Sequence, residues 1–179
     1  LKCDLSEGVT VEFWLQTGSI APTVTEKQVV FDLWNGINSS SADYGRITVE
    51  LTSSGSPFLV TVMSGTTGYS QELIGSGTTD QSTLSSWKHC AFSFASGSTG
   101  DIVTKFYQDG TLSQTIITGS NINEILNPIE ARLGSLIEPP SGSSAPAGSG
   151  KLSGSLDDFR FWKTRRTSKE IGRYWFTSK

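Results

Sequence analysis

One histidine, His89, and two cysteines, Cys3 and Cys90, are all the imidazole and thiol this chain carries. Nucleophilic hydrolysis needs a base beside a positioned hydroxyl or thiol, and no serine or cysteine near His89 sits in a nucleophile-turn motif. His89 falls inside an alternating segment with Trp87 and Ala91 on its own side, so it reads as a structural strand histidine. The tetrapeptide Gly148-Ser149-Gly150-Lys151 has the look of a phosphate loop. It fails because Leu152 stands where the magnesium-binding hydroxyl belongs and Ala145 where the first glycine belongs. Glycoside hydrolysis on a β-sandwich needs two carboxylates on one strand face, spaced by two or four residues. The nine glutamates include no Glu-x-Asp, and the adjacent Asp157 and Asp158 point to opposite sides of a strand. These absences argue that the chain is not an enzyme.

Two kinds of binding chemistry remain. Asp157 shares a strand side with Phe159 and Phe161, while Asp158, Arg160 and Trp162 share the other. A carboxylate on an apolar face must be paired, hydrogen-bonded or bound to a cation. It is either a strand-start acceptor of backbone N–H bonds or a Ca2+ ligand in an oxygen-only site completed by carbonyls and water. The second candidate centres on Trp34. Most of the five tryptophans, at 14, 34, 87, 162 and 175, read as core. Trp34 is the exception, because it shares its face with Asp32, precedes Asn35-Gly36 and ends a strand beside a Ser-rich loop containing Tyr44. A ring beside acceptors and an amide at a loop mouth suits a polar ligand with an apolar face, so Asp32, Trp34, Asn35, Tyr44 and Tyr69 form the candidate ligand set. The alternative is a rim tryptophan that packs a loop. Asn38-Ser39-Ser40 is a glycosylation sequon, meaningful only in a secretory pathway. Cys90 lies with Phe92 and Phe94 and reads as a small buried thiol; a Cys3–Cys90 disulfide is the other reading.

The elements that must hold these groups are strands. Val9, Val11, Phe13 and Leu15 alternate with Thr10, Glu12, Trp14 and Gln16. The same period recurs at Val29 to Trp34, Ile47 to Thr52, Phe58 to Val62 and His89 to Phe94. Asp109-Gly110 between Ile102–Gln108 and Thr111–Thr118 predicts a tight hairpin. Ile129 to Leu136 and Leu156 to Trp162 are later strands, parted by a Pro/Gly/Ser-rich surface loop over 138–150. One short helix is predicted, where Thr167 and Glu170 have capping-box spacing and Ile171, Tyr174 and Trp175 share a stripe. About ten strands without crossover helices exclude a βαβ fold and leave an antiparallel two-sheet sandwich.

The whole chain bounds the partners. Its 179 residues are read as one domain spanning 1–179, with 28 Ser and 20 Thr marking many turns and exposed strands. A formal charge of -3 argues against nucleic acid or anionic lipid as the partner. No apolar run approaches the ~20 residues of a membrane helix, so no membrane insertion is expected. The start at Leu1, with Met63 the only methionine, reads as a piece of a longer polypeptide.

Segments throughout the chain resemble a known family in the right order. Val9 to Leu15 resembles its first core strand, and Trp87-Lys88-His89-Cys90-Ala91-Phe92 its Trp-x-His-Val-Ala-Val strand. Phe106-Tyr107-Gln108-Asp109-Gly110 resembles its Leu-Tyr-x-Asp-Gly hairpin, and Leu133-Gly134-Ser135 its Ile-Gly strand end. Gly154 to Trp162 is similar to Gly-x-Ile-Asp-Glu-Val-Arg-Ile-Tyr, followed by a helix over Thr167 to Phe176. This is the laminin-G-like, concanavalin A-like jelly roll. The resemblance implies an all-β fold of two antiparallel sheets with one short C-terminal helix. It also implies that Asp157 takes the position that ligates a structural Ca2+ in several branches. The legume-type metal cluster and the glycosidase Glu-x-Asp strand are missing, so neither of those activities carries over. The expected role is a non-catalytic recognition or adhesion module for a glycan or surface protein, extracellular or on a virion surface. The alternative is an architectural jelly roll that packs against copies of itself or other proteins of an assembly. The C-terminal run from Trp162 to Phe176 resembles lectin-like domains of phage virion proteins, which favours display on a particle.

Overall fold

In the computed structural model, residues 1–18, 28–52, 57–75, 82–137 and 150–176 are described. The predicted loop over 138–150 lies outside them except for Gly150, and so do Gly148 and Ser149 of the phosphate-loop lookalike. Among the described residues, twelve strands and one helix follow in the order β1 Cys3–Asp4, β2 Val9–Thr17, β3 Gln28–Trp34, β4 Gly45–Leu51, β5 Phe58–Ser64 and β6 Thr67–Ile74. A 3-10 turn at Thr83–Ser85 leads to β7 Lys88–Ser96, β8 Ile102–Gln108, β9 Thr111–Thr118, β10 Glu124–Ile125, β11 Glu130–Leu133, β12 Gly154–Trp162 and α1 Ser168–Tyr174. One five-stranded sheet has the order β11-β3-β4-β5-β6 and the other β12-β2-β7-β8-β9, with every pairing antiparallel. The short strands β1 and β10 pair separately.

Period-two alternation decides which side chains meet between the sheets. Val11, Phe13 and Leu15 of β2 and Cys90, Phe92 and Phe94 of β7 face Phe31, Leu33, Ile47, Val49, Phe58 and Val60 of the opposing sheet, all fully buried. Phenylalanines interlock across the gap: Phe58 meets Phe92 edge-on at 5.2 Å between ring centroids and Phe106 at 5.1 Å, and Phe13 meets Phe31 at 6.0 Å. Edge-to-face pairs of this kind add to the area they bury. The Asp109-Gly110 turn is as predicted, with φ of 47° and 76°. Both central residues are left-handed, which matches the twist of a two-residue hairpin. Asp109 then accepts the His89 N–H at 3.1 Å and pairs with Lys88 at 2.9 Å. Thr167 and Glu170 form the capping box, and Ile171 is buried against Ala91 and Tyr107.

One strand is absent from the sequence reading, and three expectations are corrected. The strand β6 has no simple alternation in the sequence, because a bulge places Ser70 and Gln71 opposite Thr61, with Gln71 at φ 58° and its N–H on the Thr61 hydroxyl at 3.1 Å. A second bulge in β12 overturns the parity assigned to Asp157. Asp157 stands opposite Trp14 and Arg160 opposite Glu12, so two residues oppose one, and Asp158 takes φ 50°. Leu156, Phe159 and Phe161 therefore pack toward the core, and Asp157 is exposed. The tryptophans are not core: none of the five belongs to the inter-sheet cluster, and Trp87 is 43% exposed. Trp14, outward from Phe13 and Leu15, is covered instead by Trp175 at 5.9 Å. Tyr174 leaves the helix stripe and is exposed.

Both cysteines are buried free thiols, Cys3 in the small β1–β10 pair and Cys90 on the inward side of β7. Burial pushes the Cys3 thiol up to about 12 and raises Cys90 as well, so both stay protonated near neutral pH.

Candidate functional site

The outward side of the sheet containing β4 carries a polar cleft of about 190 Å³. Its floor is the alternate set Arg46, Thr48 and Glu50 of β4, whose neighbours Ile47, Val49 and Leu51 are core. Register brings Met63 beside Arg46 and Thr61 beside Thr48. Gln71 from the β6 bulge and Tyr44 from the loop before β4 supply walls. The bulge that hid β6 from the sequence is thus what turns an amide over the cleft.

Asp32 lies fully buried beside this floor, opposite Thr48. Its carboxylate accepts Arg46 Nε at 2.7 Å and Nη2 at 2.6 Å, the Thr48 hydroxyl at 2.9 Å and the Ile137 N–H at 2.9 Å. A bidentate guanidinium and two further donors satisfy both oxygens. Burial alone would lower the Arg46 pKa, but the Asp32 hydrogen bonds and charge outweigh it and hold Arg46 above its ordinary value. The same guanidinium lies 5.7 Å from the centre of the Trp34 ring and hydrogen-bonds the Tyr44 side chain. Burial raises the Tyr44 phenol, with Arg46 opposing, so Tyr44 remains a neutral donor and acceptor.

Four of the five predicted ligand residues converge at this end of β3 and β4, in unequal roles. Tyr44 lines the cleft. Trp34 stands at the rim and ties down the following loop through its Nε1–H on the Ile37 carbonyl at 2.9 Å. Asn35 is 7% exposed, donating to the Asp43 and Leu126 carbonyls and accepting from the Ile37 and Gly45 N–H groups. Asn35 therefore fixes the loop. A side chain at Gly45 would reach Ile125 at 2.1 Å, which is why the strand begins on glycine there. Tyr69 is apart from the cleft: it is buried between the sheets with its hydroxyl on Thr104 at 2.5 Å, and burial raises its pKa. Arg46, Thr48, Glu50, Thr61 and Gln71 are absent from the sequence-derived set. The first three were legible as the polar partners of Ile47, Val49 and Leu51.

A model of the concanavalin A-like lectin/glucanases superfamily matches residues 2–172. The chain belongs to that superfamily. No curated protein matches it. Solved structures of similar fold include a heptameric SAP-like pentraxin from Limulus polyphemus, 12% identical with a TM-score of 0.51, covering 97% of this chain and 71% of that one. Domain 4 of an extracellular arabinanase from Geobacillus stearothermophilus, solved in complex with arabinotriose, is 17% identical with a TM-score of 0.50, covering 94% and 66%. The receptor binding domain of botulinum neurotoxin mosaic serotype C/D is 12% identical with a TM-score of 0.59, covering 94% of this chain and 36% of that one. At these identities the similarity to each solved structure is one of fold.

The superfamily resemblance also put Ca2+ at Asp157. In this structure Asp157 is exposed and its Oδ1 accepts the Asp158 N–H at 2.8 Å. Asp158 is held by Arg160 at 2.9 and 2.6 Å. Calcium takes about six to eight oxygens. Among the described residues no three His, Cys, Asp or Glu side chains come together to hold a metal, so these side chains alone do not make the site.

Proposed function

We propose that this domain is a non-catalytic recognition module that holds a glycan in the cleft over β4. The observation that carries the reading is the floor of Arg46, Thr48 and Glu50 with Tyr44, Thr61 and Gln71 around it. Guanidinium, carboxylate, hydroxyl, phenol and amide groups converge there, matching the mixed donors and acceptors of a polyhydroxylated ligand. The Asp32–Arg46 pair keeps that floor rigid, which limits the ordering cost of binding. Catalysis is disfavoured because Asp32 spends both oxygens on four donors, leaving Glu50 as the carboxylate of the cleft. The arabinanase domain solved with arabinotriose and the toxin receptor-binding domain support a binding role. A shallow site of this size gives weak monovalent affinity, so useful attachment comes from display in many copies, on an extracellular assembly or a virion.

Oligosaccharide-array binding by fluorescently labelled protein tests this. Tyr44→Ala and Glu50→Gln are each expected to weaken binding about tenfold with the fold retained, as loss of a hydrogen bond to the ligand predicts. No bound saccharide, or unchanged binding by both variants, would overturn the reading and favour the architectural role.

Calcium at Asp157 is a separate proposal, with backbone carbonyls and water completing the oxygen set. A metal that binds only the folded state raises Tm by mass action. Chelator should then lower Tm for the native protein and leave Asp157→Asn unmoved; a native Tm indifferent to chelator would sink it.

A further inference from the structure

A second cleft lies on the opposite outward side of the sandwich, where the link from β12 to α1 crosses β8. It encloses about 280 Å³ between Lys105, Tyr107, Arg165, Arg166, Thr167 and Ser168. Half of these side chains are cationic, in a protein whose net charge is -3. Their balance is unequal. Arg166 is 8% exposed, pairs with buried Glu12 and stacks on Trp162 at 4.4 Å. Lys105 and Arg165 have no carboxylate partner among the described residues. The nearby Glu170 carboxylate is turned onto the Thr167 N–H and hydroxyl, both at 2.7 Å.

The link that carries these cations is fixed by the fold. The Arg165 N–H donates to the Glu7 carbonyl at 3.2 Å, and the adjacent Gly8, at φ 78°, lets the chains meet: a Cβ on Gly8 would sit 2.6 Å from Arg165 Cβ. The Arg166 N–H donates to the Thr10 hydroxyl at 2.9 Å, which in turn donates to the Thr164 carbonyl at 3.0 Å. Tyr107 and Ser168 share one hydrogen bond at 3.1 Å, leaving the second hydroxyl proton for another acceptor. Two lining cations without a carboxylate partner, beside a hydroxyl proton without an acceptor, suit a small ligand made of negatively charged oxygens.

We propose that this cleft is an oxyanion site that takes a sulfate or phosphate group, with Lys105 and Arg165 as its charge partners and the Tyr107–Ser168 pair as hydroxyl donor. It is independent of the glycan cleft, which lies on the other sheet. The same chemistry is offered by a free inorganic ion and by an ester on a larger molecule, and the experiment separates them. Backbone amide shifts are followed by NMR at low ionic strength during titration with inorganic phosphate, inorganic sulfate, glucose 6-phosphate and glucose 6-sulfate. Saturable shifts are expected at Lys105–Tyr107 and Arg165–Ser168. Tighter binding of the esters assigns the anion to a larger ligand, and equal affinity assigns a free ion; either outcome supports the site. Lys105→Gln and Arg165→Gln, both at partly or fully exposed positions, should each weaken binding about tenfold to a hundredfold, as charge-assisted bonds imply. Lys163→Gln, an exposed cation just upstream, should change it less than about twofold. Unsaturable shifts, or equal weakening by Lys163→Gln, would show diffuse charge only and overturn the proposal.

Discussion

Asp32→Ala is expected to lower the free energy of unfolding by about 3–5 kcal/mol, because it strands a buried guanidinium. Arg46 is 3% exposed and loses a bidentate partner, while the Thr48 hydroxyl and Ile137 N–H lose their acceptor. Against a usual stability of about 5–15 kcal/mol, that is a large fraction. Urea unfolding should show a lower midpoint with an unchanged slope. Asp32→Ala combined with Arg46→Met should recover much of the loss, since the cost comes from the unpaired charge rather than from the missing pair. A single-variant loss under about 1 kcal/mol would show that the network is not the constraint described. The double variant, though refolded, should still bind saccharide poorly because the cleft floor has gone.

Glu12→Gln should be nearly as costly at neutral pH, and its cost should fade in acid. Glu12 is 2% exposed, held by Arg166 and 3.6 Å from His89 Nε2. Burial acts to raise its pKa, but hydrogen bonds from His89 and Arg166 and their charges outweigh that, leaving it below the ordinary carboxyl value. A depressed folded pKa means the stabilisation is complete above the unfolded value of about 4.3 and lost as pH falls through the folded one. Unfolding measured from pH 7 to pH 3 should therefore show the variant weaker by about 3 kcal/mol at the top of the range and converging on the native protein at the bottom. A pH-independent gap would mean that Glu12 contributes by packing alone.

The strands were legible wherever alternation was unbroken, as in β2, β4 and β7, and so were the Asp109-Gly110 turn and the Thr167–Glu170 cap, because these signals are local. They failed at the bulges of β6 and β12. One extra residue at Asp158 reverses every face assignment upstream of it, and one at Gln71 erases the pattern of β6 and with it the burial of Tyr69. The neighbourhood of Trp34 was found from its loop, but the role of each residue there was not. Whether Asp32 and Asn35 face a ligand or serve as supports depends on Arg46 and Gly45, ten or more residues away, and so on the pairing of β3 with β4. Tryptophan burial misled for a similar reason: Trp175, just after α1, covers Trp14 from outside the sandwich, a contact distant in sequence that no local pattern encodes.

The cleft floor and the hydrophobic core are written on alternate residues of the same strand. Glu50 can change without repacking Val49 or Leu51, whereas Thr48 also donates to Asp32 and Thr61 also accepts the Gln71 N–H of the bulge. Arg46 has no such licence, since its change must be matched at Asp32. The outward side of β4 is thus adjustable at Glu50 at little risk to the core, and is held at the other end of the cleft by the Asp32–Arg46 pair, whose members must change together.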